Sequence, residues 1–316
     1  MDLLHVLILF LLCFTVLGLQ QDERLISWND LVLNDRVSSE SESLRNRVIS
    51  VSKDGNGDSV TVQGAVDLVP HGNNQRVKIF ISPGVYREKV LVPSTKPYIS
   101  FISKGSSETV IAWNSQASDL LSNGQTIGTL NSASVAVEAD YFCANGITFK
   151  NTAQAAQPGA VGMQAVALRL SGDKAVLYRC RILGNQDTLF DHQGRHLFKQ
   201  CYIEGSIDFI FGSARSLYQG CELHAVAQSY GAIAASQRSS PSDDSGFSFT
   251  DCKVTGSGLV YLGRAWGRTV WFGEFENTGS GANLSQRVPW ARSLKNDEAK
   301  PFLDQNYIDG DQWVKL

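Results

Sequence analysis

Four short stretches centred on cysteine decide the fold: residues 178–182 (YRCRI), 199–203 (KQCYI), 219–223 (QGCEL) and 250–254 (TDCKV). Their cysteines are Cys180, Cys201, Cys221 and Cys252, so the pattern recurs every 20 or 21 residues before one longer step. Repetition on this scale indicates a solenoid, whose turns stack on one another. Each unit is a short alternating run typical of a strand, with no convincing helix between units. The repeat predicts an all-β parallel β-helix.

Stacked coils give the cysteines a simple role as an inward ladder of small apolar residues, which we favour over redox chemistry. Residues 145–149 (NGITF) fit an earlier coil of the same stack. Residues 60–70 (VTVQGAVDLVP) have the apolar spacing of a helix, and we expect this helix to cover the N-terminal end of the solenoid.

The composition is that of a folded protein: 43% of the 316 residues are hydrophobic and 19% are charged. A formal net charge of -3 and the absence of a basic run argue against a nucleic-acid partner or an anionic membrane surface. No Pro- or Ser-rich linker divides the chain after residue 45. We therefore expect one domain.

The N-terminus is almost unbroken apolar sequence over residues 3–17 (LLHVLILFLLCFTVL), followed by Gly18 and a polar run. This pattern predicts a secretory signal peptide, because the apolar stretch is short for a membrane span. A buried N-terminal helix is the alternative. The predicted organisation is a signal peptide over 1–18, a short N-terminal segment over 19–45 and a catalytic β-helix over 46–316, in a secreted protein. The five cysteines after residue 18 are an odd number, so at least one is a free thiol or forms an intermolecular bond.

Two aspartates share the spacing of the cysteines. Asp187 and Asp208 are 21 residues apart, as are Cys180 and Cys201, so stacked coils place the two carboxylates side by side at about 4.8 Å. Neighbouring carboxylates do not ionise equally readily, which leaves an acid beside a base or nucleophile. The alternative is a polar ladder that satisfies turn hydrogen bonds.

Two glutamines belong to the same arrangement. Gln186 precedes Asp187, and Gln164 lies about one coil earlier, where its amide could reach the pair and stabilise an oxyanion. Retaining glycosidases use carboxylates at a similar separation, about 5 to 5.5 Å. Spacing alone therefore leaves both glycoside and ester cleavage open.

From residue 51 to its end, the chain resembles the plant pectin methylesterases, or pectinesterases. The resemblance is carried by five motifs in order: residues 84–88 (GVYRE), 164–168 (QAVAL), 184–189 (GNQDTL), 205–212 (GSIDFIFG) and 262–266 (LGRAW). The fifth has Ala265 where proline is usual in the family, which leaves Arg264 and Trp266 in place.

The resemblance implies a right-handed parallel β-helix that hydrolyses methyl esters of cell-wall pectin without a metal or organic cofactor. Asp208 would be the nucleophile, and Asp187 the general acid and base. Gln186, with Gln164 nearby, would stabilise the oxyanion. The family pattern also assigns Arg264 to holding Asp208 ionised, and Trp266 and Thr129 to contacting the sugar. Phe190 and Phe209 flank the acids and either wall the cleft or pack in the core.

The same resemblance bears on partners. The space between residue 18 and residue 51 is too short for the inhibitor-like pro-region of many plant relatives, so the chain resembles the shorter class. Methylesterified pectin is the expected substrate, and free proteinaceous inhibitors are expected partners by family analogy. We expect a monomer that binds neither nucleic acid nor membrane.

Other sites fit the sequence less well. No G-x-S-x-G nucleophile elbow occurs, which leaves carboxylate chemistry as the route for an esterase. His192 and His196 have the spacing of helical metal ligands, but Gly194 between them indicates a loop. Residues 54–58 (DGNGD) resemble the start of a calcium loop but lack its later ligands, which predicts a turn.

Two other functions fit a β-helix with paired carboxylates. A pectin-cleaving hydrolase or lyase would shorten the polymer without releasing methanol. A catalytically silent wall protein would bind pectin or an inhibitor without turnover. The acids, glutamines and Arg264 are all present together, which favours the esterase.

Overall fold

The computed structural model describes residues 25–32, 47–156, 160–227, 230–238, 240, 242–256, 259–266, 273–276, 278 and 291–316. The predicted signal peptide lies outside these residues. The strands are β1 Ile26–Ser27, β2 Arg47–Val51, β3 Val77–Ile81, β4 Gly84–Arg87, β5 Val90–Val92, β6 Ile99–Ser103, β7 Thr109–Trp113, β8 Val135–Val137, β9 Cys143–Asn145, β10 Ile147–Asn151, β11 Leu168–Leu170, β12 Ala175–Tyr178, β13 Arg181–Leu183, β14 Leu189–Asp191, β15 Arg195–Lys199, β16 Tyr202–Gly205, β17 Ile207–Gly212, β18 Arg215–Gln219, β19 Glu222–Ala225, β20 Tyr230–Gln237, β21 Gly246–Thr250, β22 Lys253–Gly256, β23 Leu259–Trp266, β24 Gly273–Glu274, β25 Arg292–Ser293 and β26 Val314–Lys315.

Within the described ranges, four short α-helices accompany the strands: α1 Trp28–Leu31, α2 Val62–Asp67, α3 Gly128–Asn131 and α4 Asn296–Ala299. Three 3₁₀ turns follow α4, at Lys300–Phe302, Gln305–Ile308 and Gly310–Gln312. No helix in the described part of the chain has the length and apolar character needed to cross a membrane.

Three long parallel sheets run along the molecule. The first sheet contains β2, β3, β6, β9, β12, β15, β18 and β21, the second β4, β7, β10, β13, β16, β19 and β22, and the third β5, β8, β11, β14, β17, β20 and β23. From β3 to β23 the chain visits the three sheets in turn, so three consecutive strands form one coil and each strand pairs with the strand one coil later. This architecture confirms the predicted parallel β-helix.

The interior is built from ladders of like residues, because parallel register places equivalent positions of successive coils at strand spacing. Ile182 pairs with Ile203, which pairs with Leu223, which pairs with Val254. In the first sheet, the rings of Phe198, Tyr218 and Phe249 stack with centroids 4.4 and 4.7 Å apart. These side chains belong to one hydrophobic core, against which the partly buried Phe249 packs.

The four repeated cysteines form the predicted inward ladder. Cys180, Cys201, Cys221 and Cys252 are all buried free thiols one position before a second-sheet strand. The Cys201 backbone N–H donates to the Cys221 sulfur at 3.4 Å. Ile147 occupies the same position one coil earlier, because Thr148 pairs with Arg181. This pairing confirms the earlier coil at residues 145–149.

Cys143 lies outside this ladder. It is on the opposite face of the first sheet, in a second apolar cluster formed with both ends of the described chain. There β1 pairs in parallel with β26, and Leu31 and Trp313 are fully buried. Part of the segment expected to precede the catalytic domain thus packs against it. Burial raises the pKa of the Cys143 thiol to about 11.

The predicted helix at the N-terminal end is α2, and the apolar residues that predicted it, Val62, Ala65, Val66 and Val69, are buried. Its first turn is capped by two groups. Thr61 Oγ1 accepts from the backbone N–H of Gly64 at 3.1 Å, and the Glu88 carboxylate accepts from the first two helical N–H groups. Glu88 of the first motif therefore has a structural role here.

Candidate active site

Asp187 and Asp208 occupy equivalent places on neighbouring coils. β14 pairs with β17 in the register Leu189 to Ile210, so each aspartate lies two residues before a paired position. The Asp187 backbone N–H donates to the Ile207 carbonyl oxygen at 3.2 Å. The predicted stacking of the two residues is confirmed at the level of the backbone.

Both aspartates adopt the left-handed conformation, with φ of 62° at Asp187 and 51° at Asp208. Non-glycine residues reach this region rarely, and where they do the surrounding structure must hold them there. Asp208 is only 7% exposed, and Asp187 is half-buried. The chain therefore holds two carboxylate residues in an uncommon conformation at one corner, between the second and third sheets.

Glycine is required where this corner turns. A Cβ at Gly205 would lie 2.2 Å from the Phe209 Cβ and 2.7 Å from the Asn185 carbonyl oxygen, which is too close for any side chain. The Thr188 hydroxyl donates to the same carbonyl at 3.0 Å and closes the turn that carries Asp187. The two motifs with the aspartates thus interlock.

The two glutamines lie on adjacent coils. The backbone N–H of Ala165 donates to the Gln186 carbonyl oxygen at 3.2 Å, which places Gln164 beside the residue that precedes Asp187. Both glutamine side chains are half-buried. An amide there would need only a short reach to meet a reacting group at Asp187 or Asp208.

Thr129 is brought to the same region by a loop. It belongs to α3, and the backbone N–H of Gly128 donates to the Ala117 carbonyl oxygen at 3.0 Å. Ala117 in turn donates its N–H to the Gln164 carbonyl oxygen at 2.8 Å. Thr129 is thus linked to Gln164 through Ala117.

Two stacked phenylalanines lie on the outer face of the third sheet. Phe190 and Phe211 pair in register, their ring centroids are 4.3 Å apart, and the rings are tilted by 15°. Each follows an aspartate by three residues. Phe209 is instead fully buried in the core, which settles its role as packing. Sequence reasoning missed Phe211, although the 21-residue step from Phe190 indicates it.

Arg264 and Trp266 lie on β23 at the far side of β20. Their backbone partners are Ala235 and Gln237, and Ala235 also pairs with Phe211. Arg264 is therefore in the same row of the sheet as the two stacked phenylalanines. It lies two strands from β17, about 10 Å away at ordinary strand spacing.

The two histidine rings contact protein groups. Burial, together with the charge of Arg169, lowers the pKa of His192, whose ring is 4.7 Å from the Phe190 ring. His196 begins a buried network instead, and it lies in β15 rather than in the predicted loop. His196 is held in this strand because its ring bonds to groups inside the solenoid. Among the residues that the structure describes, no cluster of His, Cys, Asp or Glu could hold a metal.

The buried network supports the strand that follows Asp187. His196 Nδ1 is 2.5 Å from Asp191, His196 Nε2 is 2.8 Å from the Gly172 carbonyl oxygen, and the Tyr218 hydroxyl donates to Asp191 at 2.6 Å. Since a carbonyl oxygen and a carboxylate both accept, the geometry suits a protonated ring that donates from both nitrogens. Burial by itself would lower the pKa of His196, but Asp191 outweighs it and the pKa is raised.

The predicted calcium-like stretch is a turn. Asp54 Oδ1 accepts from the Ser52 hydroxyl and from the Asn56 N–H, and Asp58 accepts from the N–H and hydroxyl of Ser50. The aspartates thus bond to their own turn, as such residues commonly do.

Comparison with known proteins agrees with the fold. A profile of the pectinesterase family matches residues 48–268. The chain is 54% identical to pectinesterase QRT1 of Arabidopsis thaliana, over 85% of this chain and 79% of that protein. It is 42% identical to putative pectinesterase 14 of Arabidopsis thaliana, over 84% and 88% of the two chains.

Solved structures give the same result. Pectin methylesterase from carrot matches with a TM-score of 0.74 and 32% identity, over 89% of this chain and 96% of that one. PemA, a pectin methylesterase from Erwinia chrysanthemi, matches with a TM-score of 0.71 at 22% identity, over 83% and 96% of the two chains. These matches confirm the right-handed parallel β-helix, and they decide between ester and glycoside cleavage, which spacing left open. The chain belongs to the pectinesterase family of carboxylic ester hydrolases, which demethylate pectin.

Proposed function

We propose that the chain demethylates pectin through a covalent intermediate on Asp208, with Asp187 as general acid and then general base. The observation that carries this proposal is the equivalent, left-handed placement of the two aspartates on adjacent coils. Adjacent coils thereby bring together the two carboxyl groups that the reaction requires, one as nucleophile and one as proton donor.

The first half of the reaction forms the intermediate. The Asp208 carboxylate attacks the carbonyl carbon of the methyl ester, and the carbonyl oxygen becomes an oxyanion. The amides of Gln186 and Gln164 donate to that oxygen. The bond to the methoxy oxygen then breaks as Asp187 donates its proton, so that methanol leaves and an anhydride links Asp208 to the sugar acid.

The second half returns the enzyme to its starting state. Asp187, now a carboxylate, takes a proton from water, and the hydroxide attacks the carbonyl carbon of the sugar acid. The bond to Asp208 breaks and the sugar acid is released, gives its hydroxyl proton to solvent and becomes galacturonate. Asp187 keeps the proton that it took from water for the next cycle. The buried position of Asp208 excludes water until methanol has left room for it.

Three further residues have proposed roles. Arg264 would hold Asp208 ionised through a charge-assisted hydrogen bond, and Trp266 and Thr129 would contact sugar rings. The row shared by Arg264, Phe190 and Phe211 supports this assignment, because it extends along the solenoid as a polymer would. The stacked phenylalanines would add an apolar face for the ester end of the sugar.

The test is methanol release from highly methylated pectin by the wild-type protein, Asp187→Asn and Asp208→Asn. We expect the rate to fall by about 10⁴-fold or more in Asp208→Asn and by a comparable factor in Asp187→Asn. Asp251→Asn is the matched control, because Asp251 is also a left-handed aspartate, at φ 54°, but lies on another corner. Its rate should equal that of the wild type.

Retention of methanol release in Asp208→Asn would contradict the assignment of the nucleophile. A loss of polymer viscosity without methanol would instead indicate chain cleavage. Equal losses in all three variants would show that replacing any left-handed aspartate damages the fold.

We also propose that residues 1–18 are a signal peptide, that 46–316 form the catalytic domain, and that the protein is secreted to act in the cell wall. Proteinaceous inhibitors as partners and a monomeric state belong to the same proposal. Mass spectrometry of the secreted protein would locate the cleavage site, and light scattering would give its mass in solution.

A further inference from the structure

Ser132 is a fully buried serine whose hydroxyl joins two parts of the candidate site. It donates to the Thr129 carbonyl oxygen at 2.7 Å and accepts from the Val166 backbone N–H at 3.1 Å. Thr129 is a residue assigned to the sugar, and Val166 lies two residues after Gln164, which is assigned to the oxyanion. One side chain thus connects both segments.

Asn151, at the end of β10, holds the same junction from the opposite side. Its side chain is 3% exposed, and its amide donates to the Ser115 carbonyl oxygen at 2.9 Å and to the Val166 carbonyl oxygen at 3.0 Å, with a longer contact of 3.4 Å to the Ser132 carbonyl. The side-chain amide oxygen of Asn151, Oδ1, accepts from the Ala153 N–H at 2.9 Å. The amide therefore uses both donor hydrogens and its acceptor.

These contacts matter because they add side-chain bonds to a segment that is otherwise held by a few backbone bonds. Residues 114–131 lie in the long connection between β7 and β8, and Asp119 is the one charged residue among them. The backbone N–H of Ala117 ties the start of this connection to the Gln164 carbonyl oxygen. The side chains of Ser132 and Asn151 tie the part that follows α3 to the same coil.

We propose that Ser132 and Asn151 are positioning residues that fix Thr129 relative to Gln164. The inference rests on the roles given to those two residues above. Neither Ser132 nor Asn151 touches substrate in this account; each acts by setting where the substrate-contacting residues lie. A misplacement of about 1 Å at a site of this kind lowers the rate by up to about 10²-fold.

Ser134 supplies a matched control. It lies two residues after Ser132, it is also fully buried, and its hydroxyl has no hydrogen-bond partner among the described residues. Replacing either serine by alanine removes one buried oxygen from the same coil. Only Ser132→Ala removes a hydroxyl that hydrogen-bonds to both segments.

The experiment measures kcat and KM for methanol release, together with the midpoint of thermal unfolding, in Ser132→Ala and Ser134→Ala. We expect kcat/KM to fall by about 10-fold in Ser132→Ala and by less than about 2-fold in Ser134→Ala, at a temperature where both are folded. Equal values of kcat/KM in the two variants would overturn the proposal.

A second measurement separates positioning from a general loss of stability. Adding Ser132→Ala to Gln164→Ala should lower kcat/KM by no more than about 3-fold, because Gln164 is then no longer there to misplace. A full 10-fold loss in that background would contradict action through Gln164. Full activity in Gln164→Ala and Thr129→Ala would overturn the proposed site itself, which distinguishes that failure from this one.

Asn151→Asp tests the other half of the junction and does not depend on the folding of Ser132→Ala. The change keeps the shape of the side chain but turns an oxygen toward the carbonyls of Ser115 and Val166, which repel it. Asn145→Asp is its control, since the Asn145 amide makes a 2.7 Å bond to the Leu31 carbonyl, remote from the site. We expect a loss of kcat/KM of about 10-fold in the first variant and wild-type kcat/KM in the second. Equal values would contradict a positioning role for Asn151.

Discussion

Two corners of the same coils use one repeat for opposite purposes. The cysteine corner joins the first sheet to the second, and the aspartate corner joins the second to the third. The residue before each of the four ladder cysteines, and before Ile147 one coil earlier, is left-handed, with φ between 51° and 69°: Gly146, Arg179, Gln200, Gly220 and Asp251. Asp187 and Asp208 are left-handed as well. Backbone geometry alone therefore does not mark the functional corner.

Burial of the left-handed residue separates the two corners. At the cysteine corner Arg179, Gln200 and Asp251 are exposed, and the residue type changes from coil to coil. At the aspartate corner the type is the same twice, and Asp208 is buried. A carboxylate is rarely buried unless it is paired or functional. The functional corner is therefore identified by an aspartate that recurs on two coils and is buried on one of them.

The two corners are also supported differently. Behind the cysteines, thiols and aliphatic side chains pack in ladders. Behind the aspartates, the strand after Asp187 ends in the network of Asp191, His196 and Tyr218, which is fully buried. Hydrogen bonds are directional, so this network fixes the orientation of the strand in addition to packing against it.

The largest expected effect comes from truncating a ring next to Asp208. Phe209→Ala opens a cavity in the core, and we expect the free energy of unfolding to fall by about 3 to 5 kcal/mol. Phe211→Ala should lower stability by much less and raise KM, because Phe211 lies on the outer face. Denaturant unfolding and methanol-release kinetics measure both. A larger loss of stability in Phe211→Ala would reverse the roles given to the two rings.

The next largest effect is the loss of stability expected when one glycine from each corner is replaced by alanine. Gly205→Ala forces its Cβ to within 2.2 Å of the Phe209 Cβ, whereas a Cβ at Gly220 would have its nearest neighbour at 3.8 Å. We expect about 3 kcal/mol or more of destabilisation at Gly205. At Gly220, with φ of 62°, we expect only the cost of a left-handed alanine, about 1 kcal/mol. Equal changes in the midpoint of urea unfolding would contradict a tighter aspartate corner.

A smaller effect concerns pH. The pKa of His196 is raised in the folded protein, so its ion pair with Asp191 stabilises the fold fully below the ordinary histidine pKa of about 6.5. That contribution is lost as pH rises through the raised pKa. His196→Gln should therefore remove a loss of stability that the wild type shows above about pH 6.5. Identical pH dependence of the unfolding free energy in both proteins would rule out a charged His196.

Much of this fold follows from local sequence. The cysteine spacing indicates the coils because parallel register carries a repeat directly into a ladder, and the same step places Asp187 beside Asp208. The helix at Val62–Asp67 follows from its apolar spacing and its Thr61 cap. The family motifs then supply the roles of the individual residues, which spacing does not.

What sequence reasoning missed depends on contacts between distant parts of the chain. Cys143 is buried outside the ladder because both ends of the described chain cover its face of the first sheet, and no local pattern indicates that pairing. His196 lies in a strand because Asp191 and Tyr218 bond it inside the solenoid. Phe211, not Phe209, stacks on Phe190 because the register of β14 and β17 pairs Phe190 with Phe211, whereas the left-handed Asp208 breaks the regular alternation of β17 and leaves Phe209 in the core.

The most direct test of the contrast between the corners compares Asp208→Asn with Cys201→Ala in methanol release and thermal unfolding. We predict that Asp208→Asn releases no measurable methanol but unfolds near the wild-type midpoint. Cys201→Ala should keep the wild-type kcat while its free energy of unfolding falls by about 1 to 2 kcal/mol, because a buried sulfur is lost. Methanol release at the wild-type rate by Asp208→Asn, or its loss in a folded Cys201→Ala, would contradict the division of chemistry and packing between the two corners.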